Sequence, residues 1–263
     1  MARKIAGRLA VAGLSLGFLS APGLRAEDTP QLSAQCQAPA ADIAAPAPLP
    51  NLAATLATRK RIRILAIGSS STYGIGASSR TRNYPAQLHD ILGKALNGVE
   101  VDIVNRGVSG EVASTTAERL RSEVAIERPD LVLWQLGTND ALSRVPPEQF
   151  EQTVRSTVDW LKADKIDVVL VGLQYTPKFV RDDNYKEIRD LLLKLASSEN
   201  ILYIRRFEAM QFIARARSTP TMMSTDEFHL NDLGYRCMAE HIAQAVIANL
   251  FVRRFRPPTS DAP

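Results

Sequence analysis

The sequence predicts an α/β domain with a parallel sheet and helices on both faces. Three observations carry this. Five short apolar runs, at Ile62–Ile67, Val99–Val104, Leu131–Leu136, Val168–Leu173 and Ile201–Ile204, have the length and continuity of buried strands. Segments of helical period separate them, and strand and helix alternate in a βαβ rhythm. The polar, chemistry-bearing residues fall in loops that follow strands, where the ligands of such sheets gather.

Each element follows from local chemistry. The helical segments are Pro85–Leu96, Ser114–Glu127, Pro147–Ala163, Asp183–Ser197, Phe207–Ala216 and a last helix from about Asn231 to Leu250. The third opens Pro146-Pro147-Glu148, placing proline and an acid in the first turn, where a missing N–H and a negative charge are both favoured. Residues 59–252 hold all these elements and are read as one domain, with 253–263 as a tail in which Arg253, Arg254 and Arg256 form a solvated end.

The N-terminal part differs. Arg3, Lys4 and Arg8 precede an apolar run from Leu9 to Leu19, and Ala26 closes a small-residue exit. Residues 1–26 thus read as a secretory signal peptide, with an uncleaved anchor as the alternative, and place the protein in the periplasm or outside the cell. The run is short for a membrane span. Residues 27–58 read as an Ala/Pro-rich linker, extended and mobile around Pro39, Pro46, Pro48 and Pro50, with a short helix near Asn51–Ala57.

Export changes the charge argument. The intact chain has 263 residues, 32 of them basic and 28 acidic, a formal net charge of +4. Four of the bases and none of the acids lie in residues 1–26, so the remainder balances at 28 of each. A neutral mature chain gives no reason to expect a nucleic-acid partner. The two cysteines, Cys36 and Cys237, would meet an oxidising compartment. Nothing in the sequence fixes their distance, and they read as unpaired or opportunistically paired; neither has the flanking ligands of a metal site.

Four loops collect the chemistry: Gly68-Ser69-Ser70-Ser71-Thr72-Tyr73-Gly74 after the first strand, Asn105-Arg106-Gly107-Val108-Ser109-Gly110 after the second, Gly137-Thr138-Asn139-Asp140 after the third, and Asp226-Glu227-Phe228-His229 before the last helix. Singly each is weak, since Ser70 could cap a helix, Asn139 could be a turn residue and Asp226 could cap a structural His229. Four in order on such loops form a specific pattern. Gly13-Leu14-Ser15-Leu16-Gly17 matches a nucleophile elbow but lies within the signal peptide and is read as chance.

The four segments resemble the sequence blocks of the SGNH (GDSL-like) hydrolases, across residues 68–229. The resemblance implies a flavodoxin-like three-layer α/β/α sandwich around a five-stranded parallel sheet, and ester hydrolysis with no metal or other cofactor. It implies Ser70 as nucleophile, His229 as base and Asp226 as the acid that orients the imidazole. It also implies an oxyanion hole made by the Ser70 and Gly110 N–H groups and the Asn139 amide. The substrate would be a small-molecule or glycan ester: a short acyl or O-acetyl ester, a lysophospholipid or an aryl ester. An acyltransferase using the same triad and a non-catalytic binding module are the alternatives.

One position departs from the family. Ser69 stands where its first block usually has Asp, and three adjacent serines compete; the register Gly-x-Ser-x-Thr-x-Gly from Gly68 to Gly74 selects Ser70. His89 and His241 have no acid at motif spacing and read as structural. Tyr73, Tyr84, Gln174 and Tyr175 lie near the same rim, with ordinary packing as their expected role.

Overall fold

The computed structural model describes residues 29–216 and 221–250. The predicted signal peptide and the tail 253–263 lie outside them. Six strands form one sheet: β1 (Ala44–Ala45), β2 (Arg61–Gly68), β3 (Glu100–Gly107), β4 (Leu131–Gln135), β5 (Asp167–Val171) and β6 (Leu202–Ile204), in the order β1-β6-β5-β4-β2-β3. The five predicted strands are β2 to β6, and they pair in parallel. The sixth, β1, adds two residues antiparallel to β6, with Ala44 opposite Ile204 and Ala45 opposite Tyr203.

The helices are α1 (Ala40–Ile43), α2 (Pro50–Thr58), α3 (Ser70–Tyr73), α4 (Tyr84–Ala95), α5 (Ala113–Glu127), α6 (Thr138–Leu142), α7 (Pro147–Ala163), α8 (Asp183–Ser198), α9 (Arg206–Arg215) and α10 (Asp232–Leu250). Strand alternation sorts the core. Ile64, Ala66, Leu133 and Val169 face a cluster with Leu88 and Leu92 of α4 and Ile242 and Val246 of α10. Leu65, Ile67, Val132 and Trp134 face Leu120 of α5, Val158 of α7 and Ile188 of α8. Period-2 strands between helices on both sides require these two separate cores, and together they make the three-layer sandwich. Side-chain caps set two helix starts: Asn83 accepts from the Ala86 N–H (3.0 Å) and Asp182 from the Tyr185 N–H (2.9 Å).

Residues 33–58 correct the sequence reading. The segment is a packed strap, with Cys36, Ile43, Ala47, Leu49 and Leu52 buried. Asp167 of β5 accepts from the backbone N–H groups of Asn51 and Leu52 (both 2.9 Å) and so caps α2 across the fold. Glu240 of α10 accepts from the Ser33 N–H at 2.8 Å, and buried His241 donates from Nε2 to the Cys36 carbonyl at 2.7 Å. Cys36 and Cys237 form a disulfide, with Cα atoms 4.9 Å apart across 201 residues of sequence. Proline and alanine content suggested an unpacked linker; the segment's few apolar side chains find their partners on the sheet, α9 and α10, far along the chain.

Candidate active site

The Ser70 loop begins where β2 ends. Ser70 opens α3, so its N–H lies in the first turn and has no intrahelical acceptor. The C-terminal end of β3 presses against this short helix: a Cβ at Gly107 would meet the Tyr73 nitrogen at 2.1 Å, so only glycine permits the approach. Buried Gln135, the last residue of β4, braces the loop. Its Oε1 accepts from the Ser69 N–H (2.9 Å), the Ser69 hydroxyl (3.1 Å) and the Thr72 hydroxyl (3.3 Å). Thr72 in turn meets the buried Tyr84 hydroxyl at 3.2 Å, whose pKa burial pushes up to about 12. Ser69, standing where the family usually has aspartate, is thus anchored to Gln135 across the sheet.

Asp226 and His229 sit on a tight turn closed by the bridge between Met223 and Leu230 and by the Ser224 N–H donating to the His229 carbonyl at 2.8 Å. Glu227, between them, takes a left-handed φ of 56°. That bend lets one Asp226 oxygen accept from the Phe228 and His229 N–H groups (2.9 and 2.8 Å) and the Ser224 hydroxyl (2.7 Å). The other Asp226 oxygen meets His229 Nδ1 at 2.6 Å, and His229 Nε2 meets Ser70 Oγ at 3.1 Å. Desolvation alone would raise the Asp226 pKa; the hydrogen bonds from His229, Ser224 and the two N–H groups outweigh it and hold the carboxylate well below its usual range. An ionised Asp226 accepting from Nδ1–H leaves Nε2 unprotonated and facing the serine hydroxyl.

Across from this turn stands Asn139, in the first turn of α6. Its amide donates to the Glu111 carbonyl at 2.8 Å, which spends one of its two N–H bonds and fixes the other's direction. Arg119 holds Glu111 through a 2.7 Å ion pair. Gly110 precedes Glu111 with φ of 86°, and a Cβ there would meet nothing within 4 Å. Glycine is needed for this backbone angle, while the space before it stays open. Buried Asp140 joins the loops after β3 and β4: one oxygen accepts from the Ala113 N–H (2.7 Å) at the start of α5, the other from the Gly137 N–H (3.0 Å).

Ser70, Asp226 and His229 are therefore within hydrogen-bond reach in series. Gln135 and Arg206 carry no motif signal and sequence reasoning missed them, while Asp140 lay in the quoted third block without a role being read for it. Of the rim residues, Tyr84 is fully buried, Gln174 is buried and Tyr175 packs edge-on against Phe207, while Tyr73 is 54% exposed. His241 is structural, and His89 lies exposed beside Asp90. Two clefts border the loops. One of about 650 Å³ lies beside the Asp226 turn, lined by Leu142, Pro177, Phe179, Met223 and Phe228. One of about 700 Å³ lies beside α3, with Tyr73, Arg80, Asn83 and Asn105 on its walls. Among the described residues no group of three or more His, Cys, Asp or Glu could hold a metal ion, and no helix is long and apolar enough to cross a membrane.

A three-layer sheet carrying these loops on one rim defines an ester hydrolase of the SGNH class. Within it, the chain belongs to the Non-GDSL lipase-like family, whose profile matches residues 35–251. An arylesterase of Vibrio mimicus is 25% identical over 72% of this chain and 90% of its own length. A lipolytic protein of the G-D-S-L family from Desulfitobacterium hafniense is 25% identical, with a TM-score of 0.59 over 70% of this chain and 99% of that one. A two-domain esterase active on acetylated mannans shares the fold, with a TM-score of 0.69 at 18% identity over 86% of this chain and 60% of that one.

Proposed function

We propose that Ser70, His229 and Asp226 are the catalytic triad of an exported esterase, with the Ser70 and Gly110 N–H groups and the Asn139 amide as its oxyanion hole. The observation that supports this most is the unbroken series Asp226–His229–Ser70, at 2.6 and 3.1 Å. In the first half-reaction His229 Nε2 takes the hydroxyl proton as Ser70 Oγ bonds to the ester carbonyl carbon. The carbonyl oxygen gains the negative charge and accepts from the three donors. Collapse breaks the bond to the alcohol, which leaves with the proton from His229. Water, deprotonated by the same nitrogen, then attacks the acyl-serine and returns the free acid and Ser70.

The substrate class we propose is short-acyl and aryl esters. The cleft beside the Asp226 turn supports it, because Leu142, Phe179 and Phe228 give it an apolar wall that a small acyl or aryl group could cover. The arylesterase activity named for the Vibrio mimicus relative points the same way. Turnover of p-nitrophenyl acetate should fall by roughly 10⁴-fold or more in Ser70→Ala. Equal rates for the two proteins would remove the catalytic reading. A rate that climbs steadily from acetyl to palmitoyl esters would remove the short-acyl assignment.

A further inference from the structure

Arg206, at the start of α9, is 2% exposed and carries its charge into the interior. Among the described residues no carboxylate lies within ion-pair distance of it, and its Nε and Nη1 have no protein acceptor. Burial lowers its pKa accordingly. A buried cation without a counter-charge is costly, and a neutral side chain of similar shape would serve packing better. The charge is retained where its single engaged nitrogen reaches two catalytic loops at once. Nη2 donates to Gln174 Oε1 at 2.8 Å and to Ser71 Oγ at 3.1 Å.

Both acceptors lead to the reacting atoms. Ser71 is the neighbour of Ser70 on α3. Gln174 Nε2 donates to the Phe228 carbonyl at 2.8 Å, and the same peptide unit's N–H, that of His229, is held by Asp226 at 2.8 Å. Both ends of the peptide that carries His229 are thus tied, one of them through Gln174. The loops bearing Ser70 and His229 come from residues 159 apart in sequence, and their side chains meet at 3.1 Å.

We infer that Arg206 is a positioning residue for ester hydrolysis, clamping the Ser70 loop to the His229 loop through Ser71 and Gln174. The inference rests on the proposed triad. Misplacing a reacting pair by a fraction of an ångström slows the chemical step more than it weakens binding.

The test uses the full chain, with active sites counted by the p-nitrophenol burst of a p-nitrophenyl phosphonate and kcat expressed per counted site. Arg206→Met should lower kcat for p-nitrophenyl acetate by on the order of 10–100-fold with KM nearly unchanged. Arg206→Lys, which keeps a cationic donor, should recover much of it. Gln174→Met should show a similar loss, and the double variant should be no worse than the poorer single one. A kcat for Arg206→Met within about twofold of wild type, or losses that multiply in the double variant, would overturn the clamp. Should Arg206→Met not fold, Gln174→Met and Arg206→Lys decide: an unchanged kcat in Gln174→Met overturns it. A wild-type protein without a Ser70-dependent burst overturns the triad itself; a normal wild-type burst with an unaltered Arg206→Met overturns only the clamp.

Discussion

Replacing Asp140 by alanine tests whether the proposed oxyanion donors are held in place by a single buried carboxylate. The side chain is 1% exposed, and it accepts from the Ala113 and Gly137 N–H groups at 2.7 and 3.0 Å. Alanine leaves both donors buried without partners, at about 1–3 kcal/mol each, or roughly 2–6 kcal/mol together. Part is returned, because desolvation already raises the Asp140 pKa and its removal relieves that penalty. A net loss of about 2–4 kcal/mol is expected, which for a domain of this size lowers Tm by roughly 5–12 °C. The same change frees the first turn of α6, where Asn139 sits, from the start of α5. Losing an oxyanion donor costs about 3 kcal/mol, or roughly 100-fold in kcat, so a loosened donor should cost on the order of 10–100-fold. The assay pairs thermal unfolding with p-nitrophenyl acetate kinetics at a temperature well below the variant's melting. Asp140→Asn, which keeps one acceptor and turns the other into a donor, should fall between. An alanine variant that melts with the wild type, or keeps nearly full kcat while folded, would refute the reasoning.

Two further outcomes follow. Removing the disulfide in Cys36→Ala/Cys237→Ala reopens a loop of 201 residues, which the chain-entropy model values at about 5 kcal/mol; urea unfolding should show a loss up to that size, with kcat unchanged at 25 °C, and an unaltered midpoint would contradict it. Asp226 has a folded-state pKa below its ordinary 3.8, so its pairing contributes stability above pH 3.8 that is lost as pH falls through the lowered value; the stability gap between wild type and Asp226→Asn should persist from neutral pH to below 3.8 and then close, and a gap closing between pH 6 and 5 would contradict the assignment.

The strands and the main helices were legible because buried parallel strands are short and mostly apolar, as residues 131–134 of β4 are, and because Pro147 and Asp183 punctuate helix starts. The proposed site residues Ser70, Gly110, Asn139, Asp226 and His229 could be nominated from sequence because each lies at a fixed register in a loop after a strand or before α10. The braces were not. Gln135 is polar at the end of an apolar strand, and its partners Ser69 and Thr72 are more than sixty residues away. Arg206 looks like any charged residue at a helix start, and only tertiary packing puts it in the interior. The strap failed for the opposite reason: its Ala/Pro composition describes a linker, while Cys36, Leu49 and Leu52 are defined by surfaces on α10 and the sheet.

The strap also decides what the two margins of the sheet present to other molecules. At the β3 margin Asp102 and Arg106 place charges that pair with Arg63, Glu123 and Glu127, an arrangement that discourages an added strand. The β6 margin has no such guard of its own; Leu202, Tyr203 and Ile204 are all buried, and the outward backbone there is answered by Ala44 and Ala45. Those two residues are moored by Cys36 upstream and by the Arg205 N–H bond to the Ile43 carbonyl at 2.8 Å. Reducing the disulfide would remove the covalent tie upstream of β1, and Ala44 and Ala45 are what cover the β6 edge. Such a disulfide guards an open sheet edge against strand addition, a role separate from what it adds to the folding free energy.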